Sequence, residues 1–144
     1  MIDFGDLRRL RIVVVDDERD TVATLCEILA EEGHDAVGAC SAVEALREVR
    51  KHPPDAVLVD ISMPGVSGYE VAREISRLYG ELAPLLVAIS GRWTGQTDRM
   101  LARLAGFREF LEKPCDPKTI VDLLAPLRHQ PAKRPVSLAD DTAA

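Results

Sequence analysis

Five short apolar runs alternate along this chain with longer segments whose apolar residues recur at helical spacing. A short continuous run of valine, leucine and isoleucine is typical of a parallel strand that is buried on both faces. Strands separated by helices predict an α/β domain in which crossover helices cover both faces of one sheet. The predicted strands are residues 11–16, 35–40, 55–60, 84–90 and 108–112, and the predicted helices are residues 20–32, 42–51, 68–79, 96–105 and 117–128.

Capping signals support this division into elements. Ser41 followed by Glu44 is the pattern of a capping box at the start of the second helix. Asp116 followed by Pro117 predicts an N-cap and a proline at the first position of the fifth helix. Glycine, which is common just after a helix, stands where three of the predicted helices end. These glycines are Gly33, Gly80 and Gly106.

The size and charge of the chain limit its function. A length of 144 residues fits one domain, which we expect over residues 10–129, with an N-terminal extension at 1–9 and a disordered tail at 130–144. The net charge of -6 predicts no direct binding of nucleic acid. The longest apolar stretch, residues 85–89, is far shorter than the roughly 20 residues that cross a bilayer. We therefore expect a cytoplasmic protein without a membrane contact.

Acidic residues stand at the ends of two predicted strands. Asp16 and Asp17 end the first strand, and Asp60 ends the third. In a doubly wound, flavodoxin-like sheet of order 2-1-3-4-5, the ligand crevice lies between the carboxyl ends of strands 1 and 3. The dinucleotide-binding alternative needs a glycine-rich turn after strand 1, where this chain has acids that would repel a pyrophosphate. The pattern therefore predicts an acidic site in this crevice.

Two further polar groups are predicted to reach the same edge of the sheet. Ser90 ends the fourth strand, and Lys113 follows the fifth. Clustered carboxylates suit Mg²⁺, or Mn²⁺ in its place, because these ions prefer oxygen ligands. A carboxylate can attack phosphorus and form an aspartyl-phosphate, and the metal and the lysine would neutralise charge on the transferred group. The residues thus predict phosphoryl transfer at a magnesium site.

Four motifs in this order resemble the receiver domains of two-component response regulators, over roughly residues 10–128. The motifs are Val13–Glu18, Val57–Gly65, Ala88–Gly91 and Phe110–Pro114. The overall likeness is to single-domain receivers of the chemotaxis-regulator type. Each motif alone is common, whereas their joint occurrence is specific.

The resemblance implies a role for each matching residue. Asp60 would accept the phosphoryl group, and Lys113 would pair with it. Asp16, Asp17 and Asp60 would bind the metal, together with the main-chain carbonyl of Ser62. In such domains the proline after the lysine, here Pro114, often follows a cis peptide bond, and residues 63–65 would shape the loop after the acceptor.

The resemblance also implies a switch and partners. Ser90 matches the hydroxyl that moves toward a bound phosphoryl group, and Phe110 matches the aromatic ring whose rotamer follows that movement. The phosphoryl donor would be a sensor histidine kinase or a histidine phosphotransfer protein. A downstream protein would bind the face made by helix 4, strand 5 and helix 5. The chain would then promote its own phosphorylation and dephosphorylation without acting as an enzyme on small molecules.

Three other readings are weighed against this one. A hydrolase of the haloacid dehalogenase type needs Asp-x-Asp after the first strand, whereas the candidate acceptor here ends the third. A receiver-shaped interaction module that works without phosphorylation would not need the intact set of acids, serine and lysine. The segment 91–96 is similar to receivers that are part of hybrid sensor kinases, so the chain as a receiver portion of such a kinase is the third alternative.

Overall fold

The computed structural model describes residues 8–62, 68–91 and 96–132, with side chains from residue 99 onward in the last range. Strands and helices alternate through these residues as the sequence predicts. The strands are β1 (Arg11–Val15), β2 (Asp35–Ala39), β3 (Ala56–Asp60), β4 (Leu85–Ser90) and β5 (Glu109–Glu112). The α-helices are α1 (Arg19–Glu31), α2 (Ala42–Lys51), α3 (Gly68–Tyr79), α4 (Gln96–Ala105) and α5 (Pro117–Leu124).

The five strands form one parallel sheet in the order β2-β1-β3-β4-β5, which confirms the predicted topology. Val15 pairs with Val59 across β1 and β3, and Asp60 pairs with Ile89 across β3 and β4. This register aligns the carboxyl ends of the central strands. Residues that follow β1, β3 and β4 therefore emerge at one edge of the sheet.

Side chains that alternate along the strands build a core on each face of the sheet. Val13 and Val15 of β1 point to the face that α2, α3 and α4 cover. Ile12 and Val14 point to the opposite face, where α1 and α5 pack. Because successive side chains of a strand project to opposite faces, a run that is apolar throughout can serve both cores. This explains why every residue of β3 is buried.

Both predicted N-caps are present. The Ser41 hydroxyl accepts a hydrogen bond of 3.2 Å from the N–H of Glu44, whose carboxylate in turn accepts one of 2.7 Å from the N–H of Cys40. The Asp116 carboxylate accepts a hydrogen bond of 3.0 Å from the N–H of Lys118. Each cap satisfies an N–H group that the first helical turn leaves without a partner.

The fifth helix ends earlier than predicted. The sequence predicts residues 117–128, whereas α5 ends at Leu124 and a 3₁₀ helix continues over Ala125–His129. Pro126 has no N–H to donate to the carbonyl four residues before it, so the α-helical hydrogen-bond pattern stops there. The tighter 3₁₀ turn carries the chain on in nearly the same direction.

The first and last described segments are bound to each other at the base of the sheet, opposite the acidic edge. The N–H of Arg8 donates to the carbonyl of Arg128 at 3.0 Å, and the Arg128 guanidinium donates to the carbonyl of Arg8 at 3.0 Å. The Arg8 guanidinium donates to the Asp55 carboxylate and to the carbonyl of Leu127, both at 3.1 Å. Arg8 therefore packs on the domain.

None of the described helices is long and apolar enough to cross a membrane.

Candidate functional site

Three acids meet at the carboxyl ends of β1 and β3, as the strand-end pattern predicts. Asp16 and Asp17 follow β1 directly, and Asp60 is the last residue of β3. One carboxylate oxygen from each lies within 4.8 Å of those of the other two. Asp16 and Asp60 are only 3% and 4% exposed, whereas Asp17 is exposed. The buried pair therefore lies inside the crevice and Asp17 lies at its rim.

Lys113 joins the two buried acids. Its Nζ atom lies 3.1 Å from Asp16 Oδ2 and 3.0 Å from Asp60 Oδ2. The backbone N–H of Lys113 donates to the carbonyl of Ser90 at 3.0 Å, which fixes the start of this segment beside β4. The peptide bond to Pro114 is cis, as the resemblance implies. A single ammonium group thus forms ion pairs with carboxylates at the ends of two different strands.

The other oxygen of each buried acid accepts hydrogen bonds from residues just after it in sequence. Asp60 Oδ1 accepts from the N–H of Ser62 at 2.9 Å and from its hydroxyl at 2.6 Å. Asp16 Oδ1 accepts from the N–H of Glu18 at 3.0 Å. An acid bonded to the N–H two residues on is the Asx turn that aspartate favours. Both carboxylates are thereby fixed in orientation on each side.

The surroundings shift the pKa values of Asp60, Asp16 and Lys113. Burial acts to raise the pKa of Asp60, but the hydrogen bonds from Ser62, with the hydrogen bond and charge of Lys113, bring that pKa below its ordinary value. Burial raises the pKa of Asp16 despite its bonds to Glu18 and Lys113. Burial acts to lower the pKa of Lys113, and its hydrogen bonds to the two acids raise it overall. Asp60 is thus held ionised and Lys113 charged.

The serine and the aromatic residue singled out in the sequence lie on the next two strands. Ser90 is the last residue of β4 and is 3% exposed. Phe110 of β5 pairs with Ala88, two residues before Ser90, and packs against the core under α3 and α4. Since alternate residues share a face, Ser90 and Phe110 belong to the same face of the sheet. The ring of Phe110 is half-buried at the edge of this core.

The donor atoms of the acid cluster suit a hard divalent cation. Magnesium takes oxygen ligands and usually one or two carboxylates, and three carboxylate oxygens converge here. A crevice of about 580 Å³ opens beside the cluster between α1 and the segment that follows β5. Asp16, Lys113, Thr21 and Cys115 line it. The site therefore has both the ligands for a metal and space next to it.

The loop at 63–65, which the resemblance assigns to shaping the site, lies outside the described residues, as do positions 92–95. Sequence reasoning does not predict the hydrogen bond from the Ser62 hydroxyl to Asp60. The signal was available, because a serine two residues after a buried aspartate is well placed to bond to it. No pattern in the sequence indicates the position of Arg99 and Arg103, which lie over the ring of Phe110.

Comparison with known proteins agrees with this geometry. A family model described as response regulator receiver domain matches residues 12–125. The chain belongs to the response regulator receiver domain family. This receiver domain is 31% identical over 111 residues to the protein PilH of Pseudomonas aeruginosa, covering 77% of this chain and 91% of PilH. It is 34% identical over 116 residues to the DNA-binding response regulator MtrA of Mycobacterium tuberculosis, covering 81% of this chain but 49% of MtrA.

Solved structures resemble this receiver domain over most of its length. The N-terminal domain of an uncharacterized protein from Wolinella succinogenes has a TM-score of 0.74 and 28% identity, covering 83% of this chain and 94% of that one. The chemotaxis protein CheY4 of Vibrio cholerae has a TM-score of 0.76 and 20% identity, with coverages of 81% and 97%. The latter likeness is one of fold. Phosphorylation-based signalling in two-component systems is the general function of the receiver family.

Proposed function

We propose that Asp60 accepts a phosphoryl group from a histidine of a sensor kinase or of a histidine phosphotransfer protein. The observation that carries this proposal is the position of its carboxylate, which ends β3, bonds to Lys113 at 3.0 Å and lies beside two further acids. An isolated buried acid cluster would be unfavourable, because like charges in a crevice repel. A cation and a transferred phosphoryl group give the arrangement a purpose.

The proposed reaction uses Asp60 as a nucleophile. Its lowered pKa keeps the carboxylate ionised, so an oxygen lone pair is available to attack phosphorus. A P–O bond to Asp60 forms as the P–N bond to the donor histidine breaks, and the imidazole nitrogen keeps that electron pair and takes up a proton. Asp60 Oδ1 accepts two hydrogen bonds from Ser62, whereas Oδ2 accepts one from Lys113 and keeps a second lone pair for the attack.

Residues of the cluster would hold Mg²⁺ or Mn²⁺ during this reaction. Asp16, Asp17 and Asp60 supply carboxylate oxygens, and the main-chain carbonyl of Ser62 supplies a further oxygen in the proposed ligand set. When bound, such a metal neutralises the charge on phosphoryl oxygens. Lys113 then moves its hydrogen bond from the Asp60 carboxylate to an oxygen of the phosphoryl group.

Phosphorylation would bias the domain between two conformations. It adds about two negative charges and strong hydrogen-bond acceptors at Asp60. In the proposal, the hydroxyl of Ser90 turns toward this group and the ring of Phe110 follows, since both lie on one face of the sheet. The face made by α4, β5 and α5 changes with them and alters affinity for a downstream protein.

The proposal extends to the bounds and location of the domain. In this proposal residues 10–129 form the receiver, and 1–9 and 130–144 are flanking segments. The hydrogen bonds between Arg8 and Arg128 hold the end of the first flanking segment against the domain. A cytoplasmic location is part of the same proposal, since it is consistent with membership of the receiver family.

Intact mass spectrometry tests the acceptor. The protein is incubated with Mg²⁺ and a phosphorylated histidine phosphotransfer protein, and we expect a gain of about 80 Da, the mass of one phosphoryl group. Asp60→Asn should abolish the gain, whereas Asp122→Asn, an exposed acid of α5, should retain it. An equal gain in Asp60→Asn would contradict the proposal. Downstream binding that does not change with Asp60→Asn would favour the phosphorylation-independent module.

A further inference from the structure

Two arginines of α4 lie over the ring of Phe110. The guanidinium carbon of Arg103 is 5.5 Å from the ring centroid, and that of Arg99 is 6.0 Å from it. The two arginines are four residues apart, so they share one face of the helix. Cations within about 6 Å of an aromatic centroid are attracted to the face of the ring. The ring of Phe110 is therefore in contact with both arginines of α4.

This contact joins α4 to β5 where the described part of the helix buries only small side chains. The buried residues on its inner face are Ala102 and Ala105, among the side chains that the structure describes. Its larger apolar residues face outward, with Met100 62% exposed and Leu104 78% exposed. Burying alanine removes less apolar area from water than burying leucine. The arginine–ring contact therefore adds to a helix packing that buries little apolar area through these two alanines.

Phe110 is connected both to the arginines of α4 and to the candidate site. It shares a face of the sheet with Ser90, whose carbonyl accepts the backbone N–H of Lys113. In the phosphorylated conformation of the proposed function, a ring that changes its rotamer to follow Ser90 would give up its present contacts with the two guanidinium groups. A contact that exists in one conformation and is lost in the other shifts the equilibrium toward the first by its own free energy.

We propose that Arg99 and Arg103 are positioning residues that hold the ring of Phe110 against α4 and oppose the phosphorylated conformation. This inference rests on the proposed function, in which Phe110 follows Ser90. It assigns the two arginines a part in setting how much of the unphosphorylated protein is already active. The position of α4 then depends on its contact with the Phe110 ring. When the ring leaves the two arginines, the helix can adopt the arrangement that binds the partner.

The experiment compares Arg99→Ala, Arg103→Ala and the double variant with wild type. Arg108→Ala is the matched control, because Arg108 is exposed, lies two residues from Phe110 and has no recorded ring contact among the described residues. Beryllofluoride with Mg²⁺ serves as the phosphoryl analogue, and its apparent Kd is measured by titration. The ring signals of Phe110 are followed by NMR, first without Mg²⁺ and then through the titration.

We expect each Arg→Ala change to tighten beryllofluoride binding about 2- to 5-fold, the strength of an exposed cation–π contact. Without Mg²⁺, the Phe110 signals should move toward their beryllofluoride-bound positions. Arg103→Lys should bind beryllofluoride with an affinity between those of wild type and Arg103→Ala, because lysine keeps the positive charge but lacks the planar guanidinium. Unmoved Phe110 signals, or equal effects in Arg108→Ala, would overturn the inference. If wild type does not bind beryllofluoride, the proposed function fails, while the ring contact is still tested by metal-free spectra, in which Arg103→Ala but not Arg108→Ala should shift the Phe110 ring signals from their wild-type positions.

Discussion

The ammonium of Lys113 lies 3.0 Å from Oδ2 of Asp60, and this ion pair joins the ends of β5 and β3 across the strand between them. The same Nζ atom also serves Asp16. Replacing Lys113 with methionine keeps a long apolar stem but leaves two buried carboxylates without their cation. At pH 7 we expect the free energy of unfolding to fall by about 1–3 kcal/mol, the usual cost of an unsatisfied buried acceptor. Urea denaturation measures this change.

The pH dependence of the stability loss in Lys113→Met distinguishes lost electrostatic interactions from lost packing. The lowered pKa of Asp60 stabilises the fold above the unfolded pKa, and this gain disappears as pH falls through the folded value. Lys113→Met removes a hydrogen bond and a charge that lower this pKa, so the stabilities of wild type and variant should converge as pH falls below the ordinary aspartate pKa of about 3.9. Lys118→Met, an exposed lysine of α5, should change stability little at any pH. A difference that does not vary with pH would point to lost packing instead.

Replacing Asp17 should weaken metal binding without changing the stability of the metal-free fold. It is exposed and has no recorded bond to Lys113, yet its carboxylate belongs to the three-acid cluster. If that cluster binds Mg²⁺, the free energy of unfolding of wild type should rise by about 1.4 kcal/mol at a free Mg²⁺ concentration of about ten times Kd. Asp17→Asn should unfold normally without Mg²⁺ and gain much less from the same concentration. Equal gains in both proteins would exclude Asp17 as a ligand.

The elements of the sheet could be predicted because their signals are local. The apolar runs and the capping residues are each read from a few neighbouring positions, and α2, α3 and α4 have the predicted bounds. The meeting of Asp16 with Asp60 followed from topology, because parallel strands end at one edge. The shorter α5 was also predictable in principle, since Pro126 interrupts the helical hydrogen bonds.

Contacts between distant side chains could not be predicted in the same way. Arg8 and Asp55 are 47 residues apart, and nothing in either neighbourhood signals their pairing. The position of Arg103 over Phe110 depends on how α4 packs and on which rotamer a long side chain takes. Periodicity fixes which face of a helix is buried, but it does not specify which partner a flexible charged side chain meets.

Arg8 is expected to stabilise the domain from its base. Its guanidinium donates to Asp55, Leu127 and Gln130, so it ties β3 to the chain after α5. Arg8→Ala removes these bonds from a side chain that is 27% exposed, and we expect a loss of about 1–2 kcal/mol in the free energy of unfolding. Urea denaturation of Arg9→Ala, an exposed neighbour, provides the control. Equal stability of Arg8→Ala and Arg9→Ala would mean that the contact contributes nothing measurable.

His34 should make the stability of the fold depend on pH. It is 2% exposed, and its Nδ1 accepts the N–H of Leu10 at 3.2 Å, which requires that nitrogen to be unprotonated. Burial, together with the charge of Arg128, lowers the pKa of His34. Because the folded pKa is the lower one, stability is fully present above the unfolded value of about 6.5 and is lost as pH falls toward the folded value. His34→Gln does not titrate, so its stability deficit relative to wild type in urea denaturation should shrink between pH 8 and pH 5. The exposed His129, replaced by Gln, serves as the matched control. A deficit of His34→Gln that stays constant over this range would show that His34 keeps its ordinary pKa in the fold.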